Sequence, residues 1–128
     1  MSIEILKKLN VLYVEDEDNV SSEVIHNLKF FVNKIISCKN GQEGLDAFKK
    51  EEENIDIIIT DVLMPILDGK KMVDQIRMIN STIPIVYTTA FNDSDFIEYT
   101  LSQELVENIS KPIDLEVLFE SILKLINK

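Results

Sequence analysis

The chain is 128 residues long and 45% hydrophobic, with 23 acidic against 13 basic side chains and a formal charge of −10. That length supports one compact domain with its own core, and the hydrophobic fraction argues against disorder. The acidic balance argues against direct binding to nucleic acid or to an anionic membrane surface, because phosphate contacts need clustered Lys and Arg, and Arg77 is the only arginine.

The lone Cys38 cannot form an intrachain disulfide, which fits a reducing compartment. No apolar run approaches the ~20 residues of a membrane span, and residues 1–10 lack the basic-then-apolar order of a signal peptide. The expectation is a soluble, cytoplasmic, single-domain chain with no linker, repeat or low-complexity tract.

Short apolar runs alternate with longer amphipathic stretches. The first run, Val11-Leu12-Tyr13-Val14, leads into Glu15, Asp16, Glu17 and Asp18. Val20, Val24, Leu28 and Phe31 then recur at helical spacing, with Asp18 or Asn19 as the expected N-cap. A second run, residues 34–37, precedes a helix over residues 41–50 that carries Leu45 and Phe48 and ends in a polar stretch through Glu53. The third run, residues 55–60, is followed by Asp61. Lys70 to Met78 presents Met72, Val73, Ile76 and Ile79 as the apolar positions of a third helix. The fourth run, residues 83–87, is followed by Thr88-Thr89-Ala90, and a short helix is expected over residues 94–101. The fifth run, Asn108-Ile109-Ser110, leads into Lys111-Pro112. Asp114 then caps a last helix bearing Leu115, Leu118, Phe119, Ile122 and Ile126.

Short β-branched runs that are apolar on consecutive residues suit strands buried on both faces of a parallel sheet. Five βα repeats imply right-handed crossovers, with helices on both faces. In such sheets ligands sit beyond the carboxyl ends of the strands. Glu15, Asp16, Asp61, Thr89 and Lys111 therefore converge on one edge. Carboxylates gathered together repel one another unless protons or a cation compensate, and an all-oxygen, open site suits Mg²⁺. An added ammonium and hydroxyl make sense if a phosphoryl group shares the gap.

At this point the chain resembles the receiver domain of two-component response regulators, of the chemotaxis-regulator type. The resemblance rests on Val14-Glu15-Asp16, on Asp61-Val62-Leu63-Met64-Pro65-Ile66-Leu67-Asp68-Gly69, on Thr88-Thr89-Ala90 and on Ser110-Lys111-Pro112, and it spans about residues 9–126. It implies a three-layer, flavodoxin-like (βα)5 sandwich with strand order 2-1-3-4-5. It further implies that Asp61 is the phosphoacceptor, taking a phosphoryl group from a sensor histidine kinase or phosphotransfer protein. Asp16, Asp61 and the Leu63 backbone carbonyl would bind Mg²⁺, with Glu15 acting through a metal-bound water. Thr89, followed by Ala90, would be the switch hydroxyl, Lys111 its cationic partner, and the bond to Pro112 cis. Such a domain is a signalling phosphoacceptor rather than an enzyme on other substrates. It would act on a downstream protein target as a monomer or weak dimer, and residues 1–128 contain no output domain.

The chain departs from that family in three places. Asn108 stands where family members commonly carry an aromatic residue, so an aromatic rotamer switch is not expected. Glu104-Leu105 replaces the usual Gly-Ala step, which predicts an irregular end to the fourth helix. Leu63 and Phe91 are both apolar and would flank the site, altering the lifetime of an acyl phosphate, with shielding favouring slower hydrolysis. His26 is expected on an exposed helix face, Cys38 part-buried, Tyr99 at the surface, and Met64, Met72 and Met78 in core or rim gaps. Two other functions share the fold. One is a flavodoxin-like cofactor carrier, against which the four acids after the first run would repel a cofactor phosphate. The other is a scaffold that binds partners without phosphorylation. A stand-alone phosphatase lacks a second nucleophile or general acid.

Overall fold

The computed structural model describes residues 3–90 and 93–127. Five strands, β1 (Asn10–Val14), β2 (Lys34–Cys38), β3 (Ile57–Asp61), β4 (Ile85–Thr89) and β5 (Val106–Ser110), form one sheet. All neighbours pair in parallel and the order is β2-β1-β3-β4-β5, as the resemblance implied. Five helices alternate with them: α1 (Asp18–Leu28), α2 (Gly41–Glu51), α3 (Gly69–Ile79), α4 (Ser94–Leu101) and α5 (Leu115–Ile126).

The consecutive apolar runs are explained by two cores, one on each face of the sheet. Val11, Tyr13, Ile57, Ile59 and Val86 point toward α1 and α5. Their alternates Leu12, Val14, Ile58, Ile85 and Tyr87 point toward α2, α3 and α4. Each fully buried side chain of this size contributes about 1.5–3 kcal/mol, so β1, β3 and β4 anchor the molecule. A 3₁₀ helix over Ile3–Lys8, which periodicity did not suggest, places Leu6, and Leu9 just beyond its end, in the α1/α5 core.

Several expectations need correction. Helix α1 starts at Asp18 with Glu17 at the N-cap position, and no side chain caps it; neither Asp18 nor Asn19 does so. Phe31 lies past the end of α1, where its ring packs against Phe119 at 4.9 Å. Met72 is buried, but Met78 is 88% exposed at the end of α3 and fills no gap. Tyr99 is half-buried rather than simply a surface residue, with Lys70 Nζ 4.7 Å over its ring. The expected irregularity after α4 is present. Leu105 takes a left-handed backbone (φ 57°) and its carbonyl accepts from Ile85 N–H, which starts β4. His26 is exposed and Cys38 is buried at the end of β2. Among the described residues, no helix is long and apolar enough to cross a membrane.

Candidate functional site

The site is assembled from the residues that close β1, β3, β4 and β5. Glu15 directly follows β1 and is 1% exposed, a depth at which a carboxylate needs a partner. Its Oε2 accepts from Glu17 N–H at 3.0 Å, and its Oε1 lies 2.8 Å from Lys111 Nζ. Burial pushes the Glu15 carboxyl above its ordinary value, and the negative charge of Asp61 pushes the same way, against the pull of Lys111 and of Glu17 N–H.

Asp61 is the last residue of β3. Its Oδ1 accepts from Val62 N–H at 2.8 Å and its Oδ2 accepts from Lys111 Nζ at 2.8 Å, which holds the carboxylate by both oxygens. Lys111 thus bridges two carboxylates. Burial pulls its ammonium down, but the hydrogen bonds and charges of Asp61 and Glu15 outweigh that and leave it raised. The Lys111–Pro112 bond is cis, as the resemblance implied.

Asp16 is half-buried beside this pair. Glu15, Asp16 and Asp61 each offer one oxygen, all within 4.8 Å of one another. Three hard oxygen donors at that spacing could hold a divalent cation. With one ammonium among them, three carboxylates leave two negative charges.

The carboxylates border an open cleft of about 240 Å³, lined by Asp16, Asp61, Leu63, Thr89, Ala90 and Lys111 among others. Leu63 stands 71% exposed at its lip, as expected for an apolar flank, while Phe91 lies outside the described residues. A larger groove of about 380 Å³ runs beside Lys111 between α1 and the segment after β5, lined by Val20, Val24, Ile113 and Leu115. It adjoins the carboxylates without containing Asp16 or Asp61.

The turn after Asp61 is held from both sides. Gly69 N–H donates to the Val62 carbonyl at 2.7 Å, and a Cβ on Gly69 would lie 2.0 Å from the Asp61 carbonyl oxygen. Gly41 N–H donates to the Leu67 carbonyl at 2.9 Å, and a Cβ there would lie 2.1 Å from that oxygen. Asp68 caps α3 by accepting from Lys71 N–H. Between these anchors Ile66 takes a left-handed conformation (φ 72°) while 81% exposed. A β-branched residue in that region is strained.

Thr89 is where the structure adds most. Thr89 is 2% exposed, and its hydroxyl donates to Asn108 Oδ1 at 2.9 Å rather than to Asp61. The pairing follows from register. Tyr87 pairs with Asn108, so Asn108 shares the α4 face with Tyr87 and, two residues on, Thr89. Asn108 stood out only as a departure, and its contact with Thr89 could have been read from that alternation.

The family model described as "Response regulator receiver domain" matches residues 11–123. A probable transcriptional regulator, ycf27, of Porphyridium aerugineum is 31% identical over 127 residues, which is 96% of this chain and 51% of that protein. The chain spans about half the length or less of the curated relatives it matches. A response regulator receiver domain protein from Clostridium thermocellum superposes with a TM-score of 0.85 at 24% identity, covering 93% of this chain and 94% of that one. The CheX-CheY-BeF3-Mg complex from Borrelia burgdorferi gives 0.84 at 22% identity, covering 94% and 90%. At these identities the two structures share the fold.

Proposed function

The chain belongs to the response regulator receiver domain family, and on that premise we propose that Asp61 accepts a phosphoryl group from a phosphohistidine of a partner protein in a Mg²⁺-dependent reaction. The observation that carries this reading is the bridge of Lys111 to both Asp61 and Glu15 at the mouth of an all-oxygen cluster. An Asp61 oxygen forms the new O–P bond as the N–P bond of the phosphohistidine breaks, and the electron pair of that bond stays with the imidazole nitrogen. A carboxylate is a weak nucleophile toward an anionic group, so position and charge neutralisation must supply the rate.

Each side chain has a part in that reaction. Val62 N–H fixes the plane of the Asp61 carboxylate. Lys111, with its ammonium stabilised, shifts from carboxylate to phosphoryl oxygen as charge builds there. Asp16 and Asp61, with the Leu63 carbonyl, would hold the metal, and Glu15 stands behind them. Bound there, Mg²⁺ would supply positive charge to the phosphoryl oxygens. The two negative charges left by the side chains match a divalent cation, and the Borrelia complex is described with Mg²⁺ and a beryllofluoride. Thr89 would donate its hydroxyl to the phosphoryl group, and Leu63 would restrict water at the lip. The donor would be a histidine kinase or phosphotransfer protein in the cytoplasm, and the output a changed α4/β5/α5 face.

The test is incubation with Mg²⁺ and a small-molecule phosphodonor, followed by mass spectrometry. Labelling of Asp61 is expected, with loss in Asp61→Asn and loss when Mg²⁺ is chelated. Labelling that survives either change, or that never appears, would overturn the reading.

A further inference from the structure

Thr89 stands between two hollows. One is the cleft that holds Asp61 and Lys111. The other is a groove of about 240 Å³ on the far side, lined by Ile97, Leu101, Val106, Glu107 and Asn108. Thr89 itself lines the first, but its hydroxyl is held by a residue that lines the second, donating to Asn108 Oδ1 at 2.9 Å, with the Ile109 carbonyl more distant at 3.5 Å. A hydroxyl has one proton to donate. It cannot serve Asn108 and an oxygen in the Asp61 cleft together.

The geometry points to Asn108 as a positioning residue. It latches Thr89 away from the reactive cleft in the resting domain, and its amide is freed toward the α4–β5 groove when Thr89 turns. The inference rests on the phosphoacceptor reading above and adds to it the device by which occupancy at Asp61 reaches α4. The exchange has a direction. A hydrogen bond to a charged phosphoryl oxygen is roughly twice as strong as one between neutral groups, so an occupied cleft draws the hydroxyl away from Asn108. Asn108 is half-buried, and an amide oxygen left without a donor there must rotate toward water in the groove. The signal is therefore a polar side chain turning outward.

Two measurements test this. In the metal-free protein, the Thr89 side-chain rotamer is read by three-bond NMR couplings. A single rotamer is expected in the wild type and averaging in Asn108→Ala. Averaging already in the wild type, or no change in the variant, would overturn the latch. Affinity for beryllofluoride is then measured in saturating Mg²⁺. Asn108→Ala should bind about fivefold more tightly, since a latch of one neutral hydrogen bond is gone, and Asn108→Asp more weakly, since a charged acceptor holds the hydroxyl harder. Both effects should vanish in a Thr89→Val background. Equal affinities across the variants, or effects that persist without the Thr89 hydroxyl, would overturn the latch alone. A wild type that binds no beryllofluoride would overturn the phosphoacceptor reading, and the latch with it.

Discussion

Strands β3 and β5 deliver their last residues to the same edge of the sheet, yet they are bedded differently. All five residues of β3 are buried, and the turn beyond it is tied to α2 and α3 through backbone hydrogen bonds at Gly41 and Gly69. In β5 only Ile109 is buried; Val106, Glu107 and Asn108 are half-buried and Ser110 is exposed. The neighbouring α4 has 8 residues against 11 in α3. Asp61, the carboxylate proposed to accept the phosphoryl group, thus sits on the tightly held half, where placement to a fraction of an ångström would matter. The Asn108 end of the Thr89–Asn108 contact sits on the looser β5, where a side chain can change partners at lower cost, while Thr89 closes the fully buried β4. On the proposed reading, chemistry and response fall on differently held strands of one sheet.

Paired truncations would sharpen or break that division most. Ile58→Ala in β3 should cost about 4 kcal/mol, since it empties a fully buried site, whereas Val106→Ala in β5 should cost about 1 kcal/mol. Urea midpoints at constant slope measure both, and equal losses would mean that the halves are equally held. Next come the glycines. Gly69→Ala should cost about 3 kcal/mol and shift the NMR signals around Asp61, because its Cβ meets backbone. Gly44→Ala should cost less, since its Cβ would meet the side chains of Met72 and Val14 rather than backbone.

The third prediction concerns Cys38, which ends β2 beside the held half. Burial pushes its thiol up from 9.0 to about 11. Because the folded value is the raised one, its stabilising effect is full below pH 9 and fades as pH rises toward 11. The wild type should therefore lose stability relative to Cys38→Ala across that window, and native Cys38 should resist alkylation at pH 8. The smallest effect is expected at Ile66. Ile66→Gly relieves a left-handed strain without losing packing and should raise stability by about 1 kcal/mol, read as a higher melting temperature.

The same division explains how far the sequence could be read. Strands buried on both faces announce themselves as apolar runs, so β1, β3 and β4, and the Glu15, Asp16, Asp61 and Lys111 that close or follow strands, were legible. Half-buried β5 showed only its last three residues, and its start at Val106 was missed. Helix α1 was placed by its stripe but not by its cap, because four acids in a row, Glu15, Asp16, Glu17 and Asp18, carry no distinguishing signal. The strand alternation sets Asn108 within reach of Thr89, but which of its neighbours the Thr89 hydroxyl chooses was not legible. A rotamer is a choice between two neighbours, and the motif names only one of them. Met78 was misjudged because helical spacing cannot say where the opposing surface stops.

The two close glycine contacts have a mechanical consequence. The turn that carries Asp61 lies backbone to backbone against the start of α2 at Gly41 and the start of α3 at Gly69, an approach that a side chain at either glycine would block. The seat of Asp61 therefore depends on a pair of missing methyl groups, one on each neighbouring helix.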